Sequence, residues 1–200
     1  MIKKAVIIVL VLALVTMLFF LFPISIQKTN TILPAKMTKS QEDLIESASL
    51  DIGSFEYKCD NTYTNAKFWI ETYLDGELVD ENLCGMQMKT DSTTPFKGKS
   101  LITSNLKNIL PVRYELNNNG AVSTGEATVP DDSFKTALQF SISIDKAASI
   151  EYDKEIILFA NIFSRNSNIS PEEMSSDILD NEESLLKFDC VHLVKCVFSK

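Results

Sequence analysis

Along Phe134–Asp145 apolar and polar residues alternate with period two. Phe134, Thr136, Leu138, Phe140, Ile142 and Ile144 fall on one side, and Lys135, Gln139, Ser141, Ser143 and Asp145 on the other. This period predicts a strand with one dry face and one wet face. Ile156–Phe163 is apolar on both sides except at Asn161, which predicts a central strand covered on each face. The chain closes with a further extended run, Leu185–Phe198. Leu186, Phe188, Cys190, Val194, Cys196 and Phe198 share one face there, with His192 among them.

Turn chemistry separates the other runs. Asp75-Gly76 lies between Ala66–Leu74 and Glu77–Val79, and a type I′ hairpin turn favours that dipeptide because both central residues need positive φ. Asn117-Asn118-Asn119-Gly120 lies between Arg113–Leu116 and Ala121–Val129 and marks a second hairpin. Met86–Lys89 and Leu101–Ser104 are shorter strand candidates, and Pro95, Pro111 and Pro130 fall between runs. Ser170-Pro171-Glu172-Glu173 reads as an N-cap, a first-turn proline and a capping-box Glu. It predicts a helix from Pro171 to Asp180-Asn181 with Met174, Ile178 and Leu179 inward. Ser40–Leu50 predicts another short helix, with Ser40 and Asp43 as an approximate capping box. The expected fold is mainly β: an antiparallel β-sandwich of about seven to nine strands and one short helix. The alternative is an α+β layout with both helical segments on one face of a single sheet.

The N-terminus is a different kind of segment. Ala5–Phe22 is 18 uncharged residues, fourteen of them Val, Ile, Leu or Phe. As a helix it is about 27 Å long, close to the hydrocarbon thickness. Those fourteen side chains favour insertion by roughly −4 to −8 kcal/mol. Pro23 ends it. Lys3 and Lys4 keep the N-terminus in the cytoplasm, so the rest lies outside a bacterial-type cytoplasmic membrane. Residues 1–23 are then a cytosolic tail and transmembrane signal-anchor, 24–51 a stalk with a possible short helix, and 52–200 a β-rich extracytoplasmic domain. The rival reading, a cleaved signal peptide, lacks a small-residue site in Phe22-Pro23-Ile24-Ser25-Ile26.

Beyond Pro34 the chain has 16 basic against 27 acidic residues, a net charge of −11. That balance disfavours nucleic acid and anionic lipid as partners. Cys59, Cys84, Cys190 and Cys196 all fall on the oxidising side, where disulfides persist. Cys190 and Cys196, spaced along an extended strand, are about 20 Å apart and cannot pair with each other. If all four are oxidised, each therefore joins Cys59 or Cys84; the alternative is buried thiols acting as small hydrophobes.

The chemistry-bearing residues are sparse. The single histidine, His192, has Asp189 three residues before it and no nucleophile elbow nearby, so it reads as a strand residue. Carboxylate pairs occur at Asp80-Glu81, Asp131-Asp132, Glu172-Glu173 and Glu182-Glu183, and most such pairs in an acidic chain are solvated or cap helices. Asp177–Glu183 lacks the glycine of a calcium loop. No spacing specifies a metal or cofactor. Trp69, Glu71 and Tyr73 share a strand face, which predicts either a ligand or partner surface or packing under another layer. The leading expectation is a single-pass, membrane-anchored binding or accessory module without catalysis. Its partner would be another envelope protein or a small exported ligand. The alternatives are an envelope hydrolase using a carboxylate pair and a regulator acting through its transmembrane helix.

Overall fold

The computed structural model describes residues 28–48, 51–91, 93–104, 112–127, 134 and 136–200. Ala5–Phe22 and Asp131-Asp132 lie outside them. Among the described residues no helix is long and apolar enough to cross a membrane.

The strands are β1 (Thr31–Pro34), β2 (Asp51–Lys58), β3 (Asn65–Leu74), β4 (Glu77–Lys89), β5 (Lys97–Ser104), β6 (Val112–Asn118), β7 (Ala121–Ala127), β8 (Leu138–Ser143), β9 (Ala148–Ser149), β10 (Ile156–Ser164) and β11 (Cys190–Ser199). They form a six-stranded sheet, β7-β6-β5-β2-β1-β9, and a five-stranded sheet, β4-β3-β11-β10-β8. The named pairings are antiparallel. The two sheets face each other across one core. Phe55, Tyr57, Ile102 and Leu116 enter it from one side and Phe68, Ile70, Leu158, Phe163 and Phe198 from the other. The Tyr57 ring sits 5.8 Å from Phe68, 5.5 Å from Phe96 and 5.3 Å from Phe198, at the tilted and edge-on angles that aromatic quadrupoles favour. The expected antiparallel sandwich is thus observed, with more strands than the sequence suggested.

Both hairpin turns take the conformation their residues favour. Asp75 and Gly76 have φ of 47° and 81°, and Asn119 and Gly120 have φ of 50° and 89°. In the second hairpin the strand continues through Asn117 and Asn118, so the turn is the two residues Asn119-Gly120. β4 runs unbroken from the Asp75-Gly76 turn to Lys89, because bulges opposite Ile70 and Thr72 absorb its polar middle. β10 is a covered central strand, as its composition requires.

Several boundaries differ from the sequence reading. The stalk segment contributes β1, whose Ile32 is fully buried and which pairs with both β2 and β9. Four residues ending in proline are too few to show a period. The first helix, α1 (Lys39–Ala48), is capped by Thr38 and Gln41 rather than Ser40 and Asp43. The Thr38 N–H donates to Gln41 Oε1 at 2.8 Å and the Gln41 N–H to Thr38 Oγ1 at 3.4 Å. The capping box at Ser170 and Glu173 forms too. It opens a turn, however, and not the expected helix from Pro171 to Asp180. A 3₁₀-helix (Ser176–Asp180) and one turn of α-helix, α2 (Glu182–Leu185), follow it. Met174 stays 44% exposed, so no continuous apolar stripe holds a longer helix down. These short helices and the turn after them drop Leu179, Leu185 and Phe188 onto Tyr73, Ile142, Ile162 and Leu193, forming a third layer over the five-stranded sheet. Burying each of the two leucines contributes roughly 1.5–3 kcal/mol.

Candidate functional site

Odd-numbered positions of β3 face that third layer. Trp69, Glu71 and Tyr73 therefore do share a face, but they are buried, at 3%, 9% and 8% exposure. Tyr73 packs with Leu185 of α2, and the Lys67 ammonium lies over the Trp69 ring.

Their polar atoms converge on a residue from the neighbouring strand. β11 pairs with β3 so that Lys195 is the partner of Trp69 and lies diagonal to Glu71. Lys195 Nζ is 2.7 Å from Glu71 Oε2, 3.0 Å from Glu182 Oε1 and 3.4 Å from Glu155 Oε2. The Trp69 indole N–H donates to Glu71 Oε1 at 2.8 Å. The Tyr73 hydroxyl lies 2.7 Å from Glu71 Oε2 and 2.8 Å from Glu182 Oε1, so one phenolic proton is shared between two carboxylates. Burial alone would push the Glu71 carboxyl up; bonds from Lys195, Trp69 and Tyr73 outweigh it and hold Glu71 below the usual carboxylate range. Burial would likewise pull Lys195 down, and Glu71 and Glu182 reverse this, holding the ammonium above its ordinary value. Burial first, and then the two glutamates, push the Tyr73 phenol up.

Glu155 and Glu182 also line a cleft of about 450 Å³ between the β8–β9 connection, the start of β10 and the 3₁₀-helix. Lys146 bridges its rim to Asp177 at 2.9 Å and to Asp180 at 3.8 Å, and Lys154 pairs with Glu151 at 2.9 Å. The basic residues of the rim are thus occupied by local acids. Glu155 and Glu182, held from behind by one shared ammonium, leave an excess of negative charge at the mouth. Such a cleft suits a ligand or peptide segment carrying positive charge.

A second polar group lies between the sheets. Ser141 Oγ is 2.9 Å from both Asp51 Oδ2 and Asn161 Oδ1. The Asn161 amide donates to Ser104 Oγ at 3.0 Å and to the Tyr114 hydroxyl at 2.8 Å. Tyr114 in turn hydrogen-bonds His192 Nδ1, and His192 Nε2 is 3.6 Å from Cys190 Sγ. Since Tyr114 accepts from Asn161, it donates to Nδ1, which places the imidazole proton on Nε2. His192 is fully buried, and burial pushes its pKa down to about 3. A neutral, sealed imidazole spent on two hydrogen bonds ties the sheets together, in keeping with its reading as a strand residue.

All four cysteines are free and buried in the structure, and no disulfide is seen. Burial pushes the Cys59 and Cys190 thiols up to about 12 and Cys84 up to about 11. Thiols held protonated are weak nucleophiles and weak metal ligands. Among the described residues no group of three or more His, Cys, Asp or Glu side chains is placed to hold a metal ion. Of the sequence-level carboxylate pairs, Asp80 and Glu81 are exposed, Glu173 caps Ser170, and Glu182 joins Lys195. The sequence reading missed Lys195, Glu155 and Asn161. The signal available was one charged residue and one amide inside otherwise apolar strands.

No curated protein and no solved structure matches this chain. The YgaN domain profile does match, over residues 31–198, from the first strand of the six-stranded sheet to the end of β11, and the chain therefore belongs to the YgaN domain family.

Proposed function

We propose that the protein is a binding or accessory module without catalysis. Ala5–Phe22 tethers it to the outer side of a cytoplasmic membrane, and its cleft beside Glu155 and Glu182 receives a positively charged group. That group belongs to another envelope protein or to a small exported ligand. The observation that supports this reading is Lys195: one buried ammonium fixes two cleft carboxylates in place without filling the cleft. Fixed charge of one sign at a concave surface is a recognition device.

A hydrolase reading draws on the same two carboxylates. It needs one of them to hold a proton near neutral pH. Both are instead engaged in ion pairs with one shared ammonium, Lys195, so the binding reading is preferred.

The test is co-purification from membranes. Full-length protein and its Glu155→Lys variant are extracted in mild detergent and the associated species compared. Glu155 is about half exposed, so the circular dichroism spectrum should not change. The reading expects the variant to lose the associated species. Equal recovery from both proteins overturns it.

A further inference from the structure

A separate slot of about 290 Å³ opens where β3 and β4 meet the end of β7. Leu74, Val79 and Ala127 form its apolar walls, Asp80 and Glu126 supply carboxylates, and Thr72 and Cys190 complete the lining. Thr72 is only 4% exposed, yet its hydroxyl has no hydrogen-bond partner. A buried hydroxyl left unmatched is destabilising, and natural structures rarely keep one without a use. Beside it, Cys190 Sγ accepts from His192 Nε2 at 3.6 Å, which leaves the thiol hydrogen available to the slot.

Charge at the mouth narrows the ligand. Arg113 Nε binds Glu126 Oε1 at 2.8 Å and offsets that carboxylate, so Asp80 leaves one net negative charge. No lysine or arginine lines the slot among the described residues. We propose that this slot binds a small aliphatic amino alcohol or diamine, its ammonium at Asp80 and Glu126 and its far hydroxyl or amine on Thr72 Oγ1. The alkyl stem lies against Leu74, Val79 and Ala127. Neutral alcohols lack the charge term, and hydroxy acids bring the wrong sign. The site lies on the inner face of β3, whereas the Lys195 cleft lies over the outer face. The proposal does not depend on the function assigned to that cleft.

Isothermal titration of detergent-solubilised full-length protein tests it, with 4-amino-1-butanol, 1-butanol and 4-hydroxybutyrate as probes. The amino alcohol should bind at least tenfold more tightly than either of the others. Thr72→Val, which matches threonine in shape, should weaken it about tenfold, and Thr72→Ser should retain binding. Thr72→Val should also unfold no more easily than the parent, since it removes an unmatched hydroxyl. Equal affinity for the three probes, no heat from 4-amino-1-butanol, or undiminished binding by a folded Thr72→Val variant would overturn the proposal.

Discussion

Lys195 Nζ and Glu71 Oε2 lie 2.7 Å apart on adjacent strands, with side-chain exposures of 4% and 11%. Both charges are largely removed from bulk water, and Lys195 supplies the cation that Glu71 faces. Removing one partner of such a pair leaves an uncompensated buried charge, which costs about 3–5 kcal/mol. Lys195→Met should therefore lower the unfolding free energy by about that amount in a urea titration. Lys195→Met combined with Glu71→Gln should recover much of the loss. A single variant as stable as the parent would show that Glu71 finds its compensation elsewhere.

Acid should weaken the fold in two separable stages. His192 has its folded pKa depressed from 6.5 to about 3. The unfolded chain thus takes up a proton first, and stability is full above pH 6.5 and falls as the pH drops toward 3. Between pH 6.5 and 4.5 that loss should reach about 2–3 kcal/mol. Glu71, also depressed, adds its own loss only below its unfolded value of 4.5. Chemical denaturation at pH 7, 5.5 and 4.5 checks the first stage, and His192→Gln should flatten it. A parent protein equally stable at all three pH values would contradict the sealed, neutral imidazole.

Tyr114, on the six-stranded sheet, reaches through a single hydroxyl both Asn161 and His192, which are paired across adjacent strands β10 and β11 of the other sheet. Tyr114→Phe keeps the ring and strands both partners. The expected cost is about 1–3 kcal/mol with no change in fold, measured by thermal or urea unfolding.

The four cysteines should resist alkylation by iodoacetamide in the native protein and all react in urea without reductant. Recovery of fewer than four adducts from the unfolded, unreduced chain would reveal a disulfide.

What the sequence reveals depends on how local the physics is. Asp75-Gly76 fixes its own turn through two positive φ angles, so its hairpin was readable. The β10 run is apolar on both sides, so its central position was readable too. Ser170 and Glu173 satisfy their local rule, but the helix they promise needs an apolar stripe that Met174 does not extend. Trp69, Glu71 and Tyr73 share a face by simple alternation along β3, yet their burial depends on a layer contributed by residues more than a hundred positions away. Lys195 carried the least signal of all. One charge in a hydrophobic strand reads as an interruption until Glu71, Glu155 and Glu182, distant in sequence, are brought around it.

Site-specific photo-cross-linking in native membranes tests the binding cleft most directly. A benzophenone side chain at Glu151, on the cleft rim, should yield a defined adduct that Glu155→Lys abolishes. The same probe at exposed Val122, on the six-stranded sheet, should yield none. Adducts of equal strength from both positions, or a Glu151 adduct indifferent to Glu155→Lys, would contradict the cleft as the site of recognition.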